Sequence, residues 1–220
     1  MLLNRLFISL SLSRFERLAK RLVSLSLFRD KITPSLSRFI KQSTMAQMSA
    51  ESEHGTEQHQ VRGVAELLMP HLLNLYGSTA TAKDFEIYAP HATFEDPLMR
   101  AHGVDQIKSA FYTLPKVFGE SRIVEYTVNE NVIAPGKVEI LIDNKQHYKV
   151  FGRDVDLTTQ IRLHVEDGKV VRHEDWWDKK PLKNRDTVNV PFVGRAAEVT
   201  RRGSMLLTHA FMRFGKDPKP

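Results

Sequence analysis

The 220-residue chain is long enough for one domain of ordinary size plus extensions, since most domains run to about 100 to 150 residues. Its formal charge of +6 is concentrated in residues 1–44, where nine Lys/Arg face only Glu16 and Asp30, so residues 45–220 sum to −1. A near-neutral body removes the broad basic surface that nucleic-acid binding through counterion release would need. The absence of cysteine excludes disulfides, thiolate nucleophiles and thiolate metal sites.

Residues 1–44 alternate Leu and Ser with spaced arginines. Leu6, Leu10, Arg14, Arg17, Arg21 and Leu22 fall at near-helical spacing, the composition of an amphipathic organellar presequence, mitochondrial in type. The apolar run of Leu6 to Ser13 is too short for a secretory signal or a membrane span, which takes about 20 residues. The alternative is translation from Met45 or Met48, which would leave the protein cytoplasmic. Residues 45–60 are polar and aperiodic and read as a flexible linker.

Order is expected from Val61. Val64, Leu67, Leu68, Leu72, Leu75 and Tyr76 make one helical face that stops at Gly77, with a kink or break at Pro70. Thr81 and Asp84 cap a short helix through Phe85, Ile87 and Tyr88, ended by Pro90. Thr93 to Asp96 is a brief strand. Gly103 precedes a helix carrying Ile107, Ala110, Phe111 and Leu114 on one face, with Pro115 at its end or at a bend.

The period then changes from 3.6 to 2. Val124, Tyr126 and Val128 alternate with polar residues, Ala134 to Lys137 form a turn, and Val138, Ile140 and Ile142 begin a second strand. Val155, Leu157, Thr159, Ile161, Leu163 and Val165 form the clearest strand, and a turn at Glu166 to Lys169 leads into Val170 to Trp177. Helices first and an antiparallel meander second predict an α+β domain over residues 61–182. Residues 183–220 regain helical character, with Val193, Leu207, Phe211 and Phe214 among arginines. Such a helix docks on the domain or on a partner subunit, or binds a membrane surface through mixed basic and aromatic residues.

On strand geometry Phe94 and Asp96 share one face, and Val171, His173, Asp175 and Trp177 share another. If these faces look inward, Asp96, His173 and Asp175 are the candidate catalytic residues, with Asp96 as base and His173 as its proton partner. Phe94, Tyr126 and Trp177 would line a ligand pocket. Burial raises a carboxyl pKa toward the range where a general base works best. Blander roles fit the same residues: Asp96 before Pro97 as a turn organiser, His173 as a core histidine, the tryptophans as packing anchors. His173 and Asp175 supply two metal ligands where three or four are usual, so a third would have to come from His91 or Asp96, and neither a metal nor a cofactor is expected. The chain has no Gly-rich phosphate loop and no GxSxG elbow.

Three phrases, FEIYAPHATFEDPL, GVDQIKSAFYTLP and DLTTQIRLHVEDGKVVRHEDWWDKKPL, resemble the SnoaL-like branch of the nuclear transport factor 2-like superfamily. The resemblance implies a cone in which three helices are wrapped by a strongly curved, mainly antiparallel sheet, with a pocket at the open end and a C-terminal helix beyond it. Members include ketosteroid isomerase, polyketide cyclases, epoxide hydrolases and non-catalytic scaffolds. Asp96 occupies the place of the isomerase's catalytic aspartate. The isomerase's oxyanion tyrosine would fall near Leu72 and its protonated aspartic acid near Gln160 or Ile161, so steroid isomerisation is not expected. The resemblance implies a small-molecule pocket, with a homodimer through the sheet as the expected assembly and a dimeric binding or scaffold module as the alternative. Fluorescent fusions of the full chain and of residues 45–220 test the presequence: only the full chain should enter an organelle, and two diffuse cytosolic signals would reject it.

Overall fold

A computed structural model describes residues 63–150, 152–184, 187 and 191–218. The presequence and linker lie outside the described residues. Among the described residues three helices, α1 (Val64–Tyr76), α2 (Val104–Val117) and α3 (Pro191–Phe211), accompany six strands: β1 (Tyr88–Glu95), β2 (Arg100–His102), β3 (Glu120–Ala134), β4 (Lys137–Val150), β5 (Arg153–Glu166) and β6 (Lys169–Trp177). The strands form one open sheet in the order β2-β1-β6-β5-β4-β3. Every pairing is antiparallel except β1 with β6, which makes the sheet mixed.

α1 runs unbroken through Pro70, which is exposed and occupies the middle of the helix. Its apolar stripe buries Leu68, Leu72, Leu75 and Tyr76, and each fully buried side chain of this size contributes about 1.5 to 3 kcal/mol. Glu130 of β3 accepts from the Val64 and Ala65 amides at 3.2 and 2.7 Å, capping the helix from across the domain.

The segment between α1 and β1 departs from the helix that its local signals predict. Asp84 accepts from the Thr81 amide and hydroxyl at 2.8 and 2.9 Å, as the cap requires, but the turn it opens is a single 3₁₀ stretch, Ala82–Phe85. Ile87 and Tyr88 are not helical, and β1 already starts at Tyr88. Pro90 is tolerated inside that strand because the β1–β6 register shifts between Tyr88 and Thr93, so no ladder bond needs its missing N–H. Gly103, at φ 78°, turns the chain into α2, which continues two residues past Pro115.

The meander follows the alternation closely. In β5, Val155, Leu157, Thr159, Ile161, Leu163 and Val165 are all buried and the residues between them are not. In β6 an irregularity opposite His164 and Val165 lets Val170 take the inward position, and His173 and Asp175 follow it inward.

The described residues belong to one compact unit, Gly63–Pro220, and α3 is part of its packing. Met205 is fully buried in the same core as Leu75 and Phe111. Arg201 is only 4% exposed. It donates to the Glu95 carboxylate at 3.0 Å, to the Asp96 carbonyl at 3.4 Å and to the Lys183 carbonyl at 3.3 Å. The opposite face of α3, with Val199, Leu206 and Phe211, is exposed. No helix among the described residues is long and apolar enough to cross a membrane. Removing the guanidinium would leave Glu95 buried with only the longer contact to Arg100 at 3.5 Å. Arg201→Ala should therefore destabilise the fold by about 3 kcal/mol in urea unfolding, whereas breaking an exposed, solvent-screened pair such as Lys137–Glu166 should change stability far less.

Candidate functional site: a buried carboxyl pair and its polar network

The parallel pairing sets Phe94 beside His173 and Glu95 beside Glu174. Phe94 and His173 point inward, their rings 5.0 Å apart. Two residues beyond that pair, Asp96 just past the end of β1 and Asp175 in β6 come to neighbouring inward positions, close enough for the Asp175 charge to raise the pKa of Asp96.

Asp96 does two things at once. Its Oδ1 accepts from the Leu98 and Met99 amides at 2.7 and 2.6 Å, and its own amide donates to the Met99 carbonyl at 3.1 Å, so it organises the turn into β2. Burial nevertheless pushes its carboxyl up to about 7. The Leu98 and Met99 amides pull it down, Asp175 pushes it up again, and Arg201 lowers it.

Asp175, 3% exposed, is raised by burial to about 6, against lowering contributions from Thr159, Gln146, Trp177 and Tyr76. Its Oδ2 accepts from Gln146 at 3.3 Å, while Oδ1 has no hydrogen-bond partner among the described residues. The Trp177 indole N–H faces Asp175 without closing a hydrogen bond. The network continues outward: the Tyr148 hydroxyl donates to Gln146 Oε1 at 2.6 Å, Gln146 donates to Thr159 at 2.9 Å, and Thr159 donates to Asn144 at 3.0 Å.

His173 has no exposed surface, and burial pushes it down to about 3, so the imidazole is neutral at ordinary pH. Its Nδ1 lies 2.7 Å from the Tyr88 hydroxyl and its Nε2 3.1 Å from the Tyr76 hydroxyl. Both nitrogens are thus engaged by phenols, and Asp96 is not among the partners of His173. Burial raises both tyrosines above the ordinary phenol range.

Of the remaining sequence candidates, Phe94 is in the core against Phe111 at 5.0 Å, Trp177 is half-buried, and Tyr126 stands 44% exposed on β3, opposite Asn144. His91 is exposed, and among the described residues no group of three or more His, Asp or Glu is placed to hold a metal ion. Leu72 is core, Ile161 is an inward apolar residue paired with Asp175, and Gln160 donates to Asp143 on the convex face. One helical turn beyond Leu72, however, Tyr76 places a phenol in the interior.

Tyr76, Tyr88, Asn144, Gln146, Tyr148 and Thr159 were absent from the sequence candidates. For three of them a signal existed. Extending the alternation of Ile140 and Ile142 by the same period puts Asn144, Gln146 and Tyr148 on the inward face, and polar residues in an inward phase mark a buried polar site. A separate cleft of about 440 Å³, lined by Tyr88, His102, Asp105, Gln106 and His209 among others, includes neither carboxyl.

No family model matches the chain, and no curated protein matches it. Solved structures are similar over about half of it. A candidate scytalone dehydratase from Novosphingobium aromaticivorans shares 15% identity over 52% of this chain and 81% of its own, with a TM-score of 0.45. An NTF2-like protein from Anabaena variabilis shares 13% over 53% and 88%, with a TM-score of 0.47. A candidate SnoaL-like polyketide cyclase from Jannaschia shares 15% over 56% and 92%, with a TM-score of 0.42.

The raised carboxyl of Asp175 has a testable sign. Its unfolded value is near 3.8 and its folded value about 6, so between about pH 4 and 6 the folded state holds the extra proton and stability falls as pH rises. The buried His173 works in the opposite sense, because the unfolded chain binds the proton first, but that contribution is common to wild type and an Asp175 variant. Asp175→Asn should match wild type in urea unfolding at about pH 4 and exceed it by about 2 to 3 kcal/mol at about pH 8. Equal stabilities at both pH values would show that Asp175 ionises normally. With three helices on an open six-stranded mixed sheet, the described residues form an α+β domain of the class the sequence predicts.

Proposed function

We propose that the protein binds a small apolar or carbonyl-containing molecule and acts on it by cofactor-free acid/base chemistry of the isomerase, cyclase or hydratase type. One observation carries this reading: two neighbouring inward carboxyls, Asp96 just past the end of β1 and Asp175 on β6, are held near 7 and 6. Groups in that range can exchange a proton with a carbon or oxygen acid at neutral pH, and two of them side by side let one accept while the other donates. Asp96, with the higher value, holds the shared proton at neutral pH and is the assigned acid, and Asp175, ionised there, is the assigned base. Phe94 and Trp177 supply apolar and aromatic surface next to the carboxyls, and Tyr126 lies further out on the same face of the sheet. His173 has no ionic role, because it stays neutral; it orients phenols.

The alternative is a non-catalytic dimeric module, favoured by the centre of the convex face. There Arg162 lies 4.4 Å over the Trp176 ring and pairs with Glu139 at 2.8 Å, an aromatic and charged patch suited to a second copy of the chain. Native mass spectrometry of residues 45–220 after incubation with a metabolite extract separates the two. The pocket reading expects a discrete added mass that Asp96→Asn with Asp175→Asn abolishes. Bare protein at a fixed dimer mass, in wild type and variant alike, would reject it in favour of the module.

A further inference from the structure

A neutral imidazole has one N–H donor and one lone-pair acceptor, so the two tyrosines on His173 cannot play the same part. Either Tyr88 donates to Nδ1 and the Nε2–H donates to Tyr76, or both directions are reversed. The distances fit the first arrangement: 2.7 Å at Nδ1 suits a hydroxyl donor, and 3.1 Å at Nε2 suits an N–H donor. The surroundings select it as well. Tyr88 is 4% exposed, and His173 is the hydrogen-bond partner of its hydroxyl, so a proton not given to Nδ1 would have no acceptor. Tyr76 differs, because Asp175 is the next inward residue after His173 on β6, and a Tyr76 that accepts from Nε2 keeps its own proton for that carboxylate.

We infer that Tyr88 and His173 form a positioning pair that fixes the direction of the Tyr76 hydroxyl and presents its proton to Asp175. The inference rests on the reading of Asp175 as one of the two working carboxyls. Tyr88 lies two partners away from that carboxyl and touches neither Asp96 nor Asp175. The relay Tyr88–His173–Tyr76 involves no net proton transfer at rest. It holds one tautomer, and through it one hydrogen-bond direction.

The test uses ¹⁵N NMR of the His173 ring and ¹³C NMR titration of the carboxyls in the ligand-free full chain. In wild type the ring should show a protonated Nε2 and an unprotonated, hydrogen-bonded Nδ1, unchanged from about pH 5 to 8. Tyr88→Phe should move the Nδ1 resonance toward that of an unbonded pyridine-type nitrogen. Tyr76→Phe should raise the Asp175 pKa by about one unit, because it removes a phenol that lowers it in the folded protein, with Asp96 moving much less. A protonated Nδ1 in wild type, or an Asp175 pKa unmoved by Tyr76→Phe, would overturn the inference. The wild-type tautomer decides the matter even if a variant fails to fold. Because no ligand is involved, this failure and a failure of the proposed pocket are separately visible.

Discussion

The parallel contact between β1 and β6 is the constraint on which the site depends. Two strands that lie far apart in sequence can pair in parallel only after the chain has travelled through α2 and the long meander, and the register they adopt sets Phe94 against His173. The side-chain period of two then leaves no freedom: the next inward pair is Asp96 and Asp175. A slip of β1 by one residue against β6 would turn Asp96 to the other face and bring Glu95 inside, while β6, paired on its other side with β5, kept Asp175 inward. Arg201 holds this register from behind, binding the Glu95 carboxylate and the Asp96 carbonyl with one nitrogen.

Burial acts on the interior with opposite signs on its two kinds of titratable group. It raises the carboxyls and depresses the imidazole, so each is driven toward its neutral form. The usual image of a carboxylate activated by a charged histidine does not apply. What remains is a nearly uncharged network in which direction, rather than charge, carries information. Its amides and hydroxyls join Asp175 to Gln146, Tyr148, Thr159 and Asn144, and its phenols engage both nitrogens of His173.

Legibility differed by element. The strands from Val138 to Trp177 were readable because one face is apolar and the other polar, which is the condition under which alternation is informative. β1 was misread because Ile87, Tyr88 and Pro90 carry local signals for a helix and its stop, and the bulge that accommodates Pro90 exists only once β6 lies alongside. Asp96 was legible as a candidate from its place before Pro97 and from its resemblance to a family motif. It is both turn organiser and half-buried acid, two roles that compete in a reading of the sequence.

The sequence by itself determined the helices α1 and α2, the alternation of β4 and β5 and the shared face of His173 and Asp175, because these follow from local periodicity and steric preference. Only the tertiary structure decided what those side chains meet. The pairing of His173 with Tyr76 and Tyr88, across 97 and 85 residues, has no local signature. The same holds for the Arg201–Glu95 pair, 106 residues apart, which joins the C-terminal helix to the back of the site. Hydrogen-bond partners and pKa shifts are properties of a packed interior, and that interior exists only when distant segments exclude water together.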